Sequence, residues 1–204
     1  HWTRDMTHFW MKALRHQATR ERVYGLVCAF SLSIGLLGMT NSARAEISTQ
    51  YATMTRHADG VYALNADFRL SMPQQLQDAI NHGTPVSFQV EFNINRPRWY
   101  WSNENLISTG REQRISFNSL TREYRVVSGS NQYRYNTLNE ALLNVSRVSQ
   151  WRVLWPTQYS SGEPLEGSVR IYLNTSKLAR TYQLNSLTNQ GWGLNSGWYT
   201  FNFT

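Results

Sequence analysis

From residue 64 onward the chain is dominated by a period of two. Leu64, Ala66, Phe68 and Leu70 alternate with Asn65, Asp67 and Arg69, and Val86, Phe88, Val90, Phe92 and Ile94 alternate with Ser87, Gln89, Glu91, Asn93 and Asn95. Alternation of this kind places every apolar side chain on one face of an extended segment, so both stretches predict half-buried strands. Ile115 with Phe117 and Tyr124 with Val126 predict two shorter strands joined through Asn118 to Arg122. Val169, Ile171 and Leu173, and then Tyr199, Phe201 and Phe203, repeat the pattern near the end of the chain. Two segments change to helical spacing. Pro73 to His82 places Leu76, Ala79 and Ile80 on one side, with Ser71 and Gln74 at capping-box distance and Gly83 as a stop. Thr137-Leu138-Asn139-Glu140 is a second capping box, followed by Ala141, Leu142, Val145 and Val148 at helical intervals.

Strands at roughly ten-residue spacing, each with one polar face, predict antiparallel sheets packed as a β-sandwich or open barrel with two short helices. A small outer-membrane barrel is the remote alternative, raised by the aromatic ending Tyr199 to Thr204. Residues 46–60 show no period and read as a polar lead-in; 61–204 read as a single β-rich domain.

The first 45 residues are of another kind. Lys12, Arg15, Arg20 and Arg22 precede an uncharged run from Val23 to Met39, and Asn41-Ser42-Ala43-Arg44-Ala45 places small residues at both positions of an A-x-A cleavage site. This is the order of a cleavable secretory signal, with Met6 or Met11 as the expected start of the chain and Glu46 as the expected start of the mature protein. An uncleaved inner-membrane anchor is the alternative, but Gly25, Ser31, Ser33, Gly35 and Gly38 dilute a run shorter than the roughly 20 residues of a spanning helix. The expected location is periplasmic, by the general secretory route, with membrane attachment only through a retained leader.

The leader also changes the meaning of the charge. The whole chain carries +7, yet from Glu46 onward 14 basic residues face 11 acidic ones, a net of +3 spread along the sequence. That is no phosphate-tracking patch, and nucleic acid is not an expected partner. The one cysteine, Cys28, falls within the leader, so the remaining chain is without disulfides, thiol catalysis or thiolate metal sites.

No enzyme fingerprint appears. His57 and His82 are the only histidines after the leader, no metal site is expected, and no G-x-S-x-G, P-loop, G-x-G-x-x-G or H-E-x-x-H motif occurs. No cofactor is implied. Glu163 and Glu166, flanking Pro164, read as solvated loop charges. The most unusual run is Arg96-Pro97-Arg98-Trp99-Tyr100-Trp101. Pro97 cannot continue a ladder, so the run leaves the strand that ends near Ile94. Two readings stand. The run is a binding lip of aromatic planes and guanidinium forks, or it is an edge with Trp99 and Trp101 in the core and the arginines paired to nearby acids. A second cluster, Asn185 to Trp192 and then Trp198, is rich in turn residues. Asn189, Trp192 and Trp198 there read as a small-ligand or glycan surface, or as rings wedging the end of the sandwich.

These stretches also carry a likeness. The chain from about Val61 to Phe203 resembles the DUF4390 family, exported proteins of Gram-negative proteobacteria, some labelled proline-rich signal peptide proteins. The carriers are Arg96 to Trp101, Ile115 to Ser119 with Leu120 to Val126, Thr137 to Leu142, and the tail from Leu187 to Phe203. Departures are Leu178-Ala179-Arg180-Thr181 where a Leu-Pro-Lys-Pro-like stretch is usual, and Asn118 where histidine is common. The resemblance implies export and one fold over the mature chain. It implies no chemistry. Genes of the family often neighbour a membrane sensor kinase of the nitrogen-regulation type, which makes an envelope or membrane protein the expected partner.

Overall fold

A computed structural model describes residues 46–100, 102–178 and 194–204. Arg44–Thr204 forms one compact unit. Among the described residues, nine strands and two α-helices follow in the order β1 (Glu46–Arg56), β2 (Tyr62–Ser71), α1 (Gln74–Asn81), β3 (Val86–Arg96), β4 (Glu104–Asn118), β5 (Glu123–Ser128), β6 (Asn131–Tyr135), α2 (Leu138–Val145), β7 (Arg147–Leu154), β8 (Leu165–Leu173) and β9 (Tyr199–Phe203).

Two antiparallel sheets result. The smaller has the order β1-β2-β7 and the larger β6-β5-β4-β3-β8-β9. Neither closes on itself among the described residues, so the arrangement is a β-sandwich and the outer-membrane barrel is set aside. No helix among the described residues is long and apolar enough to cross a membrane.

The alternating segments determine which faces meet. Val86, Phe88, Val90, Phe92 and Ile94 of β3 are wholly buried, and Leu165, Val169 and Ile171 of β8 lie beside them. Tyr62, Leu64, Ala66 and Phe68 of β2 bury the opposing face. The helices close the layers, α1 with Leu76, Ala79 and Ile80 and α2 with Ala141 and Val145. This single apolar cluster is the driving force for assembly, since burying each such side chain contributes about 1.5–3 kcal/mol.

The structure corrects three expectations. Residues 46–60 are more than a lead-in, because Glu46–Arg56 pairs with β2 along its length. A bulge between Thr49 and Tyr51 flips the alternation, so Ile47 faces inward on one phase and Ala52 and Met54 on the other. Strand β7 is hidden in the same way: register shifts accompany Gln150, whose φ of 49° is left-handed. The second helix therefore ends at Val145, and Val148 belongs to β7. Finally, Ser71 and Gln74 form no capping box, because Pro73 occupies the N-cap without a side-chain hydrogen bond. The Thr137–Glu140 box does form, with Glu140 N–H donating to Thr137 Oγ1 at 3.2 Å and Thr137 N–H to Glu140 Oε2 at 3.3 Å.

Candidate functional site

The lip at the end of β3 is built on an ion-pair clamp. Arg96 is the last residue of the strand, and its guanidinium reaches two carboxylates from distant parts of the chain. It donates through Nη1 to Glu104 Oε2 at 2.8 Å, and to Glu163 through Nε and, at 3.2 Å, through Nη2. Arg98 Nη2 donates to the same Glu104 oxygen. The Arg96 hydrogen bonds, foremost, hold both Glu163 and Glu104 below the ordinary carboxylate range. Glu163 also accepts the Ser160 backbone N–H at 2.9 Å. It is therefore a structural anchor rather than the solvated loop charge expected from its position.

Past this clamp the aromatic rings project outward. Trp99 is 94 % exposed and Tyr100 65 % exposed, the two rings touching edge-on with centroids 5.2 Å apart. Trp99 is thus not in the core, against the edge reading, while the arginines are paired to acids, as that reading expected. Trp101 lies outside the described residues.

Trp198 occupies a different place, on the outer face of the large sheet. The register of the segment opposite β8 slips by one residue between Tyr172↔Asn195 and Val169↔Tyr199, with Gly197 at φ 69°. This glycine bulge brings the Trp198 ring over the Arg170 guanidinium at 4.5 Å. Arg170 also lies 5.1 Å from the Tyr172 ring and pairs with Glu91 at 2.6 Å, and Tyr172 Oη donates to Glu91 at 2.8 Å. Beside them runs an open groove of about 490 Å³ floored by Gly110. A Cβ on Gly110 would fall 2.7 Å from Gln89 Nε2, the movable end of that side chain, and 3.3 Å from the Val90 carbonyl oxygen. Trp198 is 44 % exposed with one face already covered, and both Glu91 oxygens are in use. Asn189 and Trp192 lie outside the described residues. Of the second cluster only Trp198 is described, and among the described residues it lies in a groove that includes none of Arg96, Arg98, Trp99 and Tyr100.

A third feature has no sequence signal. Between β4, β6, α2 and β7 lies a polar cavity of about 400 Å³, lined by Arg111, Gln113, Tyr133, Tyr135, Asn144 and Arg147 among others. Arg111 and Gln113 are on the inner face of β4, two residues apart. Gln113 is 2 % exposed, and among the described residues neither its Oε1 nor the buried Nε of Arg111 has a hydrogen-bond partner. None of the ion pairs among the described residues includes Arg111. Its guanidinium rests 4.8 Å over the Trp151 ring, and burial pushes its pKa down. An unmet buried donor costs about 1–3 kcal/mol, and more when charged. Strand β4 carries no large apolar side chain on either face over Ser108–Arg114, so the sequence does not reveal which of its arginines turns inward.

The fold and these sites define a two-sheet β-sandwich with a clamped aromatic projection at one turn. A family model described as a domain of unknown function, DUF4390, matches residues 44–202, and the chain belongs to that family. No curated protein and no solved structure matches the chain.

Proposed function

We propose that this is a periplasmic, non-enzymatic accessory protein that docks an envelope or membrane protein partner, such as the outer segment of a sensor kinase, through the Arg96–Tyr100 lip. The observation that carries the reading is Trp99, almost wholly exposed on a turn whose base is fixed by three carboxylate–guanidinium contacts. Tryptophan, tyrosine and arginine are the side chains that dominate binding energy at protein interfaces. Holding them on a rigid base lowers the ordering cost of association. The leader-like first 45 residues support the location, with an uncleaved anchor as the alternative.

The test is a crosslinking pull-down from intact cells with a C-terminal tag. The wild-type chain is expected to enrich one membrane protein. Arg98→Ala with Trp99→Ala is expected to reduce that recovery by at least tenfold, since a hot-spot truncation costs roughly 2–4 kcal/mol. Thermal unfolding should hold, because neither side chain is in the core. Equal recovery by the double variant would place docking elsewhere.

The groove beside Trp198 favours a second reading, a small-ligand or glycan binder that uses an aromatic ring and sheet-face amides. Tryptophan fluorescence titrated against envelope sugars tests it, and an unchanged spectrum across the panel rejects it.

A further inference from the structure

We infer that the turn between β4 and β5, together with the adjoining outer faces of β5 and β6, docks on an anionic phospholipid surface. Leu120 enters the headgroup layer, and Arg122, Arg125 and Arg134 meet lipid phosphates. This end lies beyond the Val86↔Ile115 pair of β3 and β4, whereas the lip lies beyond Arg96↔Glu104. The inference therefore does not rest on the lip.

Three features of this end cost the free domain stability or contribute nothing to it. Leu120 is 94 % exposed, yet its turn is fixed, because Asn118 Oδ1 accepts the backbone N–H of Leu120 at 3.0 Å and of Thr121 at 3.4 Å. An apolar side chain is thus held out in water on an ordered turn. Arg122 follows at φ 56°, a left-handed position that suits glycine or asparagine better. Arg125 of β5 stands directly opposite Arg134 of β6, and like charges so placed repel. None of the ion pairs among the described residues includes Arg122, Arg125 or Arg134.

One occupant offsets all three. From Asn118 to Tyr135 the chain carries these three arginines against Glu123 alone, a local net of +2. Glu112, the next acid along the outer face of β4, is already held by Lys177 and Arg114. The partner is therefore anionic, and each guanidinium gains from it what no carboxylate of the domain supplies. Leu120 decides between a lipid surface and an acidic protein segment. A side chain so exposed projects from the surface instead of lining a groove, so whatever receives it has to close around it. A fluid headgroup layer does so without shape complementarity, and it takes an apolar tip and flanking cations together. The arginine stems can lie along the strands while their heads stay at the phosphate level.

The test uses the full 204-residue chain with Cys28→Ser, so that an introduced thiol is the only one. An environment-sensitive fluorophore is placed at Ser119→Cys in the turn, and in a control chain at Ser130→Cys, beyond the Ser128↔Asn131 pair at the other end of β5. Equimolar phosphatidylglycerol–phosphatidylcholine vesicles are compared with phosphatidylcholine alone. The label at 119 is expected to brighten and shift to the blue on the anionic vesicles only, and the label at 130 on neither. Arg125→Gln with Arg134→Gln should raise the lipid concentration at half-signal about 25-fold, at about 1 kcal/mol per arginine near such a surface. Arg125→Lys with Arg134→Lys should hold it within about threefold, because a bilayer responds to the charge and not to the guanidinium fork. Leu120→Asn should raise it about fivefold or more, through lost apolar burial. Arg98→Ala with Trp99→Ala should respond as wild type, which keeps a failure here distinct from a failed pull-down.

The proposal is overturned by an equal response on neutral vesicles, which the leader alone would give, by an equal response at position 130, or by no response at all. An unmoved half-point in the glutamine variant overturns it too, as does a fall in that variant's lipid-free Tm, which would make the arginines structural. A signal from soluble poly-L-glutamate in place of vesicles would assign the surface to an acidic protein segment instead.

Discussion

Truncating Phe92 to alanine is expected to destabilise the domain by about 3–5 kcal/mol, the cost of emptying a large aromatic site that cannot collapse. Phe92 is wholly buried at the middle of β3, between Thr109 of β4 and Val169 of β8. Its ring stacks with that of Phe201 on β9, centroids 6.3 Å apart and 19° from parallel. Phe201 in turn lies across Gly167, where a Cβ would come within 2.8 Å of the ring. The glycine is a socket: the strand gives up a side chain so that the edge strand can fold its ring inward. Gly167→Val should therefore push Phe201 off Phe92 and cost about 1–3 kcal/mol through overpacking. Combining it with Phe201→Ala should cost less than the two losses together, because the clash and the ring are the same contact. Chemical denaturation of the wild type and the four variants checks this. Additive losses, or a Phe92→Ala loss under 1 kcal/mol, would contradict the packing described.

How much of this was legible in the chain varies by element. β3 and β8 are flanked by strands on both sides, so one face is fully covered and the apolar alternation is uninterrupted. The Thr137–Glu140 box is equally readable, since two reciprocal hydrogen bonds need only the right residues three apart. β1 and β7 are concealed because a bulge shifts the phase in mid-strand, and a test for a constant period of two fails across it. β6, Asn131–Tyr135, is an edge strand with little buried surface and so carries almost no apolar signal. The site divides in the same way. The Arg96–Trp101 run stands out by composition, but its clamp depends on Glu163, which is 67 positions from Arg96. Arg111 and Gln113 look like any polar strand residues until the packing of α2 and β7 over them is known.

Replacing Arg96 with methionine is expected to loosen the lip and change the sign of its response to acid. In the wild type, Glu163 and Glu104 both titrate below the ordinary value of 4.5, chiefly because each accepts from Arg96. A carboxyl depressed in the folded state stabilises the fold above its unfolded pKa, and loses that contribution as pH falls from about 4.5 through the lower folded value. Wild-type Tm and lip-dependent binding should hold from pH 7 to 5 and decline below. Without the Arg96 guanidinium, Glu104 keeps its Arg98 partner, but Glu163 loses its cation and is left beside a second carboxylate. Glu163, whose side chain is only 16 % exposed, has little water to offset the repulsion. Like charges raise a carboxyl's pKa, and a raised pKa gives the opposite linkage: stability is greatest where the group is protonated and is lost as pH rises. The variant's deficit against wild type should thus be largest at pH 7, roughly a few °C, because an exposed ion pair contributes little. It should narrow steadily towards pH 4. Asp59 and Glu112 are also depressed, by the Val61 N–H and the Lys177 ammonium respectively, so both proteins share a background decline in acid. The difference between their Tm curves is the informative quantity, and curves that stay parallel from pH 7 to pH 4 would remove Arg96 as the clamp. Partner recovery should follow the same difference. A clamp that matters for docking loses it at pH 7 in Arg96→Met, even though Trp99 and Arg98 are intact.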